Sequence, residues 1–144
     1  MATERRADVV WQGDLLHGSG TIEKVTSGAF APLDVSWASR TEDPSGKTSP
    51  EELIAAAWAA CFSMALSSGL AKAGNPPERL ETSAVVTFQP GEGITKGALT
   101  VRATVPGIDA GAFDVAAETA RKSCPVSKAL TGIPEISLDA QLAG

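Results

Sequence analysis

The sequence predicts one α+β domain over residues 1–144, in which antiparallel sheets pack around a long central hydrophobic helix. Three observations predict this class. Runs of alternating apolar and polar residues occur in both halves of the chain, a long apolar run follows a strong helix start near residue 49, and no linker, repeat or low-complexity tract divides the chain. A chain of 144 residues, 43% of them hydrophobic, can build a core without metal or disulfide support.

Charge and composition exclude several classes of function. The chain has 12 Lys+Arg against 17 Asp+Glu, a formal net charge of −5, so it has no positive field to attract phosphates and nucleic acid is not an expected partner. No stretch approaches about 18 consecutive apolar residues, and residues 1–10 are charged where a signal peptide is apolar. We therefore expect no membrane partner and a cytoplasmic location.

The first element is a hairpin over residues 8–27, because two runs with apolar positions flank the turn-forming residues 17–20. A third strand is predicted over residues 34–40, where Val35 and Trp37 alternate with small polar or small apolar neighbours. A polar loop follows this strand.

The central helix has the clearest start in the sequence. Ser49 can cap it, Pro50 suits the first helical position, and Glu52 completes an S-x-x-E capping box. The helix is predicted to run to about Ala73 and to end at Gly74. After its first turn it is apolar nearly all round, which indicates a helix buried at the centre of a domain or of a dimer.

A second hairpin follows the central helix. Residues 83–89 and 99–105 read as strands on either side of the glycine-rich turn 90–97, and the second of these alternates cleanly between apolar and polar positions. This alternation predicts an antiparallel sheet with one buried face.

The chain ends with two helices and a strand. Asp109 can cap a helix over residues 110–122, and Pro125 restarts a short helix that ends at Gly132. The last strand, residues 135–142, places its apolar residues on one face. The predicted order of elements is therefore βββ-α-ββ-αα-β.

Two cysteines, Cys61 and Cys124, are too few for a disulfide framework and too far apart for a metal knuckle. Cys61 lies in the apolar helix, where it is either a small buried hydrophobe or a nucleophile that needs a cation from another segment. Cys124 precedes Pro125 at a helix start, which makes it the more acidic thiol by local physics, or else a residue that fills a helix break.

His17 is the single histidine, and it lies in the glycine-rich turn. A cysteine hydrolase or acyl-transfer enzyme would need it as the base, whereas a turn histidine is usually a solvated loop residue. Two Cys and one His at this spacing suggest no zinc site, so we expect neither a metal nor an organic cofactor.

Arg40 and Glu51 stand on either side of the polar loop. In the simpler interpretation Arg40 is solvated and Glu51 is favoured by the positive end of the helix dipole. In the other, a bidentate carboxylate fixes the guanidinium and presents it to a thiol.

Three segments together resemble the OsmC/Ohr family of thiol-dependent peroxidases. Residues 49–66 resemble its central-helix signature, residues 124–130 its second cysteine motif, and residues 11–13 with the turn at 18–20 the opening of its OsmC branch. The resemblance implies the OsmC-like fold and an intertwined homodimer with active sites at the subunit interface.

The resemblance also implies a chemistry: organic hydroperoxides, and more weakly hydrogen peroxide, are reduced to alcohols. Cys61 would match the peroxidatic cysteine, which becomes a sulfenic acid, and Cys124 the resolving cysteine, which closes a disulfide that an external dithiol of lipoyl type reduces. Arg40 would match the arginine that stabilises the thiolate, and Glu51 the carboxylate that holds it. In the Ohr branch of the family this arginine lies in the N-terminal hairpin. The predicted hairpin of this chain, residues 8–27, has no arginine, so the resemblance is to the OsmC branch.

Glu51 and Cys61 are ten residues apart, about 15 Å along one helix, so the carboxylate cannot touch the thiol of its own helix. We therefore expect the central helices of two subunits to lie close and antiparallel. The alternative to a peroxidase is a catalytically silent, stress-related binding protein of the same fold.

Overall fold

A computed structural model describes residues 1–143 and confirms the α+β class. The chain forms a first compact unit, Met1–Leu53, and a second that begins at Ile54. Most predicted elements are present, with ends that differ by a few residues. The prediction of one domain over the whole chain stays a prediction.

The first unit is an antiparallel sheet of three strands followed by a short helix. Strands β1 (Ala7–Gln12), β2 (Ser19–Val25) and β3 (Leu33–Val35) lie in that order, with β2 in the middle. Trp11 on β1 pairs with Gly20 on β2, where a Cβ would lie 2.7 Å from the Trp11 ring. Glycine at this position therefore lets the indole lie flat on the sheet.

The predicted third strand over residues 34–40 is wrong beyond Val35. The chain instead turns into the helix α1 (Trp37–Thr41), so Arg40 lies in the last turn of a helix and not at the end of a strand. Ser36 caps this helix by accepting from the backbone N–H of Ser39, and the Ser39 hydroxyl accepts from the Ser36 N–H in return. This reciprocal capping outweighs the short strand-like alternation of the sequence.

Helix α2 (Pro50–Lys72) is the long helix that the sequence predicts, and Gly74 follows it at φ +89°. The Ser49 hydroxyl caps the Glu52 N–H at 3.2 Å, while the Glu52 carboxylate accepts from the Thr48 hydroxyl at 2.8 Å. By length and composition α2 could cross a membrane, but the core helix of a globular domain passes the same test.

The second unit is built on a three-stranded sheet. Strands β4 (Arg79–Gln89) and β5 (Gly93–Thr104) form the predicted hairpin, and β6 (Glu135–Leu142) has the bounds that the sequence predicts. β6 pairs with β5 in parallel, so this sheet is mixed rather than purely antiparallel. The helices α3 (Ala110–Ser123) and α4 (Pro125–Ala129) provide the crossover that a parallel pair needs.

The core of the second unit contains one face of α2. Trp58, Phe62, Leu66 and Leu70 recur every four residues and are fully buried. They cluster with apolar residues of β5 and α3. Each side chain of this size stabilises the fold by about 1.5–3 kcal/mol when buried. This face of α2 therefore packs as a core helix does.

Gly97 on β5 marks the closest approach of the sheet to this helix. A Cβ at Gly97 would lie 2.8 Å from Cζ3 and 2.9 Å from Cη2 of Trp58, which is closer than real atoms pack. The missing side chain at Gly97 therefore makes room for the indole and fixes its position on the sheet.

Candidate active site

The two cysteines meet in the second unit, although they are 63 residues apart in sequence. Cys61 lies in the fourth turn of α2 and is partly exposed. Cys124 lies between α3 and α4 and is completely buried. Both are free thiols, and they lie close enough for each to influence the pKa of the other.

The junction of helices α3 and α4 fixes the position of Cys124. Its backbone N–H donates to the Ala120 carbonyl at 2.9 Å and so ends α3, while its carbonyl accepts from the Lys128 N–H at 3.0 Å and begins α4. Pro125 at the first position of α4 prevents one continuous helix. The sulfur is thereby held at a helix break, as the sequence predicts.

The surroundings of the two thiols move their pKa values in opposite directions. Burial raises the pKa of the Cys61 thiol, and its hydrogen bond to Cys124 raises it further. Burial also acts to raise the pKa of Cys124, but hydrogen bonding from Cys61, Ser127 and the Val126 N–H outweighs it, so the pKa of Cys124 lies below its ordinary value. The more acidic thiol is the buried one, and the more accessible thiol is Cys61.

Two further residues contact this site, and the sequence did not single them out as functional. Trp58 Nε1 donates a hydrogen bond of 2.8 Å to the Ser127 hydroxyl, and Ser127 lies three residues after Cys124, in α4. Trp58 and Ser127 are 69 residues apart in sequence, so no local pattern indicates their pairing.

Arg40 and Glu51 meet in the first unit. Arg40 Nε lies 3.0 Å from Glu51 Oε1, and Nη2 lies 2.8 Å from Oε2, which is a two-point ion pair. The Glu51 side chain is 7% exposed and that of Arg40 29%. The guanidinium also lies 5.9 Å from the centre of the Trp37 ring, a cation–π distance. The guanidinium is therefore fixed in orientation.

The remaining candidate, His17, is an exposed loop residue. Its Nδ1 lies 3.2 Å from Asp14 Oδ2, and its backbone N–H donates to the other oxygen of the same carboxylate. This hydrogen bonding lowers the pKa of Asp14. Among residues 1–143, no group of three or more His, Cys, Asp or Glu side chains is placed to hold a metal ion.

Comparison with known proteins gives a consistent result. A family model described as OsmC-like protein matches residues 42–139. Peroxiredoxin OsmC of Escherichia coli (strain K12) is 43% identical over 145 residues, which cover 99% of each chain. The fold is similar to that of an OsmC-like protein from Mycoplasma pneumoniae, with a TM-score of 0.75 and 15% identity over 100% of both chains.

A second solved structure with a similar fold is a protein of the Ohr branch. The organic hydroperoxide resistance protein OhrB of Bacillus subtilis has a TM-score of 0.62 and 23% identity, over 96% of this chain and 98% of that one. The fold, the thiol pair and the full-length peroxiredoxin relative define the chain as a thiol-dependent peroxidase, an antioxidant enzyme. The chain belongs to the family of OsmC-like proteins, as its cysteine motifs predict.

Proposed function

We propose that this enzyme reduces organic hydroperoxides, and more weakly hydrogen peroxide, through Cys61 and Cys124. The pair of neighbouring thiols carries the proposal, because Cys61 is partly exposed and Cys124 is buried beside it. An accessible thiol can meet a peroxide from solution, and a buried neighbour can then close a disulfide without searching for its partner.

In the first step the pair loses one proton and the Cys61 thiolate attacks one peroxide oxygen. The O–O bond breaks, the alkoxide leaves and takes a proton from water to become the alcohol, and Cys61 retains the OH as a sulfenic acid. Sulfur loses two electrons and the peroxide gains them. The lower pKa of Cys124 would favour Cys124, and not Cys61, as the thiolate that attacks the peroxide. A peroxide cannot reach Cys124, however, because that residue is 0% exposed.

In the second step Cys124 attacks the Cys61 sulfenic acid. The S–S bond forms, the S–O bond breaks, and the hydroxide takes a proton and leaves as water. An external dithiol, of lipoyl type in this proposal, then reduces the disulfide and returns both thiols. We also propose a cytoplasmic location, because two cysteines are too few for the disulfide framework that is common in small secreted domains.

Arg40 and Glu51 complete the proposed site. A guanidinium stabilises a thiolate and polarises a peroxide, and the Arg40 guanidinium is held in place by two contacts from the Glu51 carboxylate. We assign Arg40 to stabilisation of the Cys61 thiolate and Glu51 to orientation of Arg40. Both assignments rest on the family resemblance together with the ion-pair geometry.

The direct test is consumption of tert-butyl hydroperoxide and of hydrogen peroxide by the wild-type enzyme with a dithiol reductant. Burying one carbon group is worth about 0.8 kcal/mol, or about fourfold, so burial of two or more carbons of the tert-butyl group is expected to make kcat/KM at least about tenfold higher for the organic peroxide. The dithiol without protein is the control. A rate equal to that control, with Cys61 still a free thiol, would refute the proposal.

We further propose a homodimer in which the α2 helices of two subunits lie close and antiparallel. One chain leaves apolar side chains exposed that a partner would cover, among them Met64 on α2, at 73% exposure, and Val9, Trp11 and Leu16 in the first unit. Strand β1 carries exposed apolar residues on both faces, which a sheet with one solvated side does not.

Sedimentation equilibrium tests the dimer. The expected mass is twice the 14.7 kDa of one chain, and Met64→Lys is expected to shift the population towards the monomer because it places a charge in the apolar contact. A wild-type protein that sediments as a single monomeric species and is fully active would contradict the dimer.

A further inference from the structure

Ser39 and Thr48 are buried polar residues that the proposed reaction does not use. Ser39 lies in α1 and is 7% exposed, and Thr48 directly precedes Ser49, which caps α2, and is 9% exposed. The Ser39 hydroxyl donates a hydrogen bond of 3.2 Å to the Thr48 carbonyl. A buried hydrogen bond between residues nine positions apart fixes one segment of the chain against another.

Thr48 is a junction of three elements in the first unit. Its backbone N–H donates to the Asp34 carbonyl in β3 at 3.0 Å, and its side-chain hydroxyl donates to the Glu52 carboxylate in the first turn of α2 at 2.8 Å. Its carbonyl accepts from Ser39. Strand β3 and the start of α2 therefore meet at one residue, and α1 joins this junction through the Ser39 hydroxyl.

Helix α1 benefits from such a tie because it is short. It has five residues, and a helix of that length is not stable by itself, since its few backbone hydrogen bonds do not offset the cost of forming the first turn. The Ser39 hydroxyl also accepts from the Ser36 N–H and lies 3.0 Å from the Ser36 carbonyl. Its one proton is shared between the carbonyls of Ser36 and Thr48. The same side chain thus closes α1 locally and holds it to the segment before α2.

We propose that Ser39 is a positioning residue for Arg40, which follows it in α1. The ion pair with Glu51 holds the long Arg40 side chain in one geometry, and this costs conformational entropy. Because α1 is fixed to Thr48, three residues before Glu51, the backbone of Arg40 is already in place when the pair forms, and less freedom is lost. The effect on turnover rests on the proposed function, which assigns Arg40 to the Cys61 thiolate.

A double-mutant cycle tests the proposal without any turnover. Arg40→Met, Glu51→Gln and the double variant are unfolded with urea at one protein concentration, and the cycle gives the coupling energy of the ion pair. In a Ser39→Ala background the coupling energy is expected to fall by at least about half, because forming the pair then also has to fix α1. An unchanged coupling energy in Ser39→Ala would overturn the proposal.

Ser36→Ala is the matched control. The Ser36 hydroxyl caps α1 by accepting from the Ser39 N–H at 3.0 Å, so this variant weakens the same helix but leaves the Ser39–Thr48 bond in place. We expect Ser36→Ala to lower the free energy of unfolding and to keep the wild-type coupling energy of the ion pair. An equal fall in coupling energy in both serine variants would show that only the stability of α1 matters, and would overturn the role of the Ser39 hydroxyl.

Ser39→Thr tests the same bond by keeping it. The variant retains the hydroxyl, so the coupling energy is expected to stay at the wild-type value. It also decides the question if Ser39→Ala does not fold. A coupling energy that falls by half or more in a folded Ser39→Thr variant would overturn the proposal.

A pH profile connects the ion pair to the thiol. In a Cys124→Ser background, the rate at which iodoacetamide alkylates Cys61 follows the thiolate fraction, and a less well placed guanidinium stabilises that thiolate less. Ser39→Ala is expected to move the midpoint of the profile to higher pH by about half a unit, and to lower kcat/KM for tert-butyl hydroperoxide by about threefold in the otherwise wild-type chain. Ser36→Ala is expected to change neither value.

The outcomes separate this inference from the proposed function. A wild-type midpoint and a wild-type kcat/KM in Ser39→Ala would overturn the inference. A wild-type protein that consumes no peroxide would refute the proposed function instead, and the coupling energies would still decide the role of Ser39.

Discussion

Cys61→Ser is expected to abolish peroxide consumption, with a loss of at least about a thousandfold in kcat/KM for tert-butyl hydroperoxide. A serine hydroxyl remains protonated at neutral pH and is a poor nucleophile towards an O–O bond, so nothing at position 61 can replace the thiolate. The residual thiol, Cys124, is fully buried and out of reach of the peroxide. Peroxide loss measured against the dithiol control gives the rate.

Cys124→Ser is the informative counterpart, because it removes the other thiol of the same pair. It is expected to consume one equivalent of peroxide per chain without reductant, and then to stop with Cys61 as a sulfenic acid that dimedone traps. Mass spectrometry locates the trapped sulfur. The reverse pattern, in which Cys61→Ser is oxidised and Cys124→Ser is inert, would exchange the two roles and would side with the pKa order over accessibility.

These two variants also decide whether the protein is a thiol peroxidase or a catalytically silent binding protein. A catalytically silent protein would keep both thiols through an excess of hydroperoxide. Circular dichroism of each variant shows whether a loss of activity reflects lost folding. Because Cys61 is partly exposed, Cys61→Ser is expected to fold like the wild type.

The sequence predicted elements well wherever capping and periodicity agree. Helix α3 begins after Asp109, whose carboxylate accepts from the Ala112 N–H at 2.8 Å, and β6 has the predicted residues, with its apolar side chains on one half-buried face. These are local signals, since a cap and its helix lie within one turn of each other. The end of α2 at Gly74 is predictable for the same reason.

The predicted extent of the third strand was wrong because two local signals conflict over the same few residues. Val35 and Trp37 alternate as a strand does, but Ser36 and Ser39 are spaced to cap each other's backbone. Three residues of alternation are too few to outweigh a capping box. The outcome matters for the candidate site, because it places Arg40 on a helix that ends beside the Glu51 carboxylate.

The contacts between residues of the candidate site could not be predicted from the sequence. The family resemblance named Cys61 and Cys124, but the two lie side by side only because α2 and the α3–α4 junction pack into one core. The Trp58–Ser127 bond depends on the same packing and spans 69 residues. No periodicity or propensity encodes a contact between residues so far apart, whereas a folded core fixes it.

Glu51→Gln is expected to lower both stability and activity, because it leaves the Arg40 guanidinium without its carboxylate. Glutamine has nearly the same shape but no charge, so the two-point contact of 2.8 and 3.0 Å loses its ionic character. The Glu51 side chain is 7% exposed, and weakening a nearly buried pair costs about 1–3 kcal/mol in the free energy of unfolding. Urea denaturation measures that loss.

Activity should fall by about 10–100-fold, since a guanidinium displaced by about 1 Å no longer stabilises a thiolate as well. Glu52→Gln is the matched control. The neighbouring carboxylate is exposed and contacts the Thr48 hydroxyl, which an amide oxygen can also do, so stability should change by less than about 0.5 kcal/mol. Arg40→Lys keeps the charge and loses the planar fork, and the same fall in activity is expected. If Glu51→Gln and Glu52→Gln behave alike, Glu51 serves only the helix start.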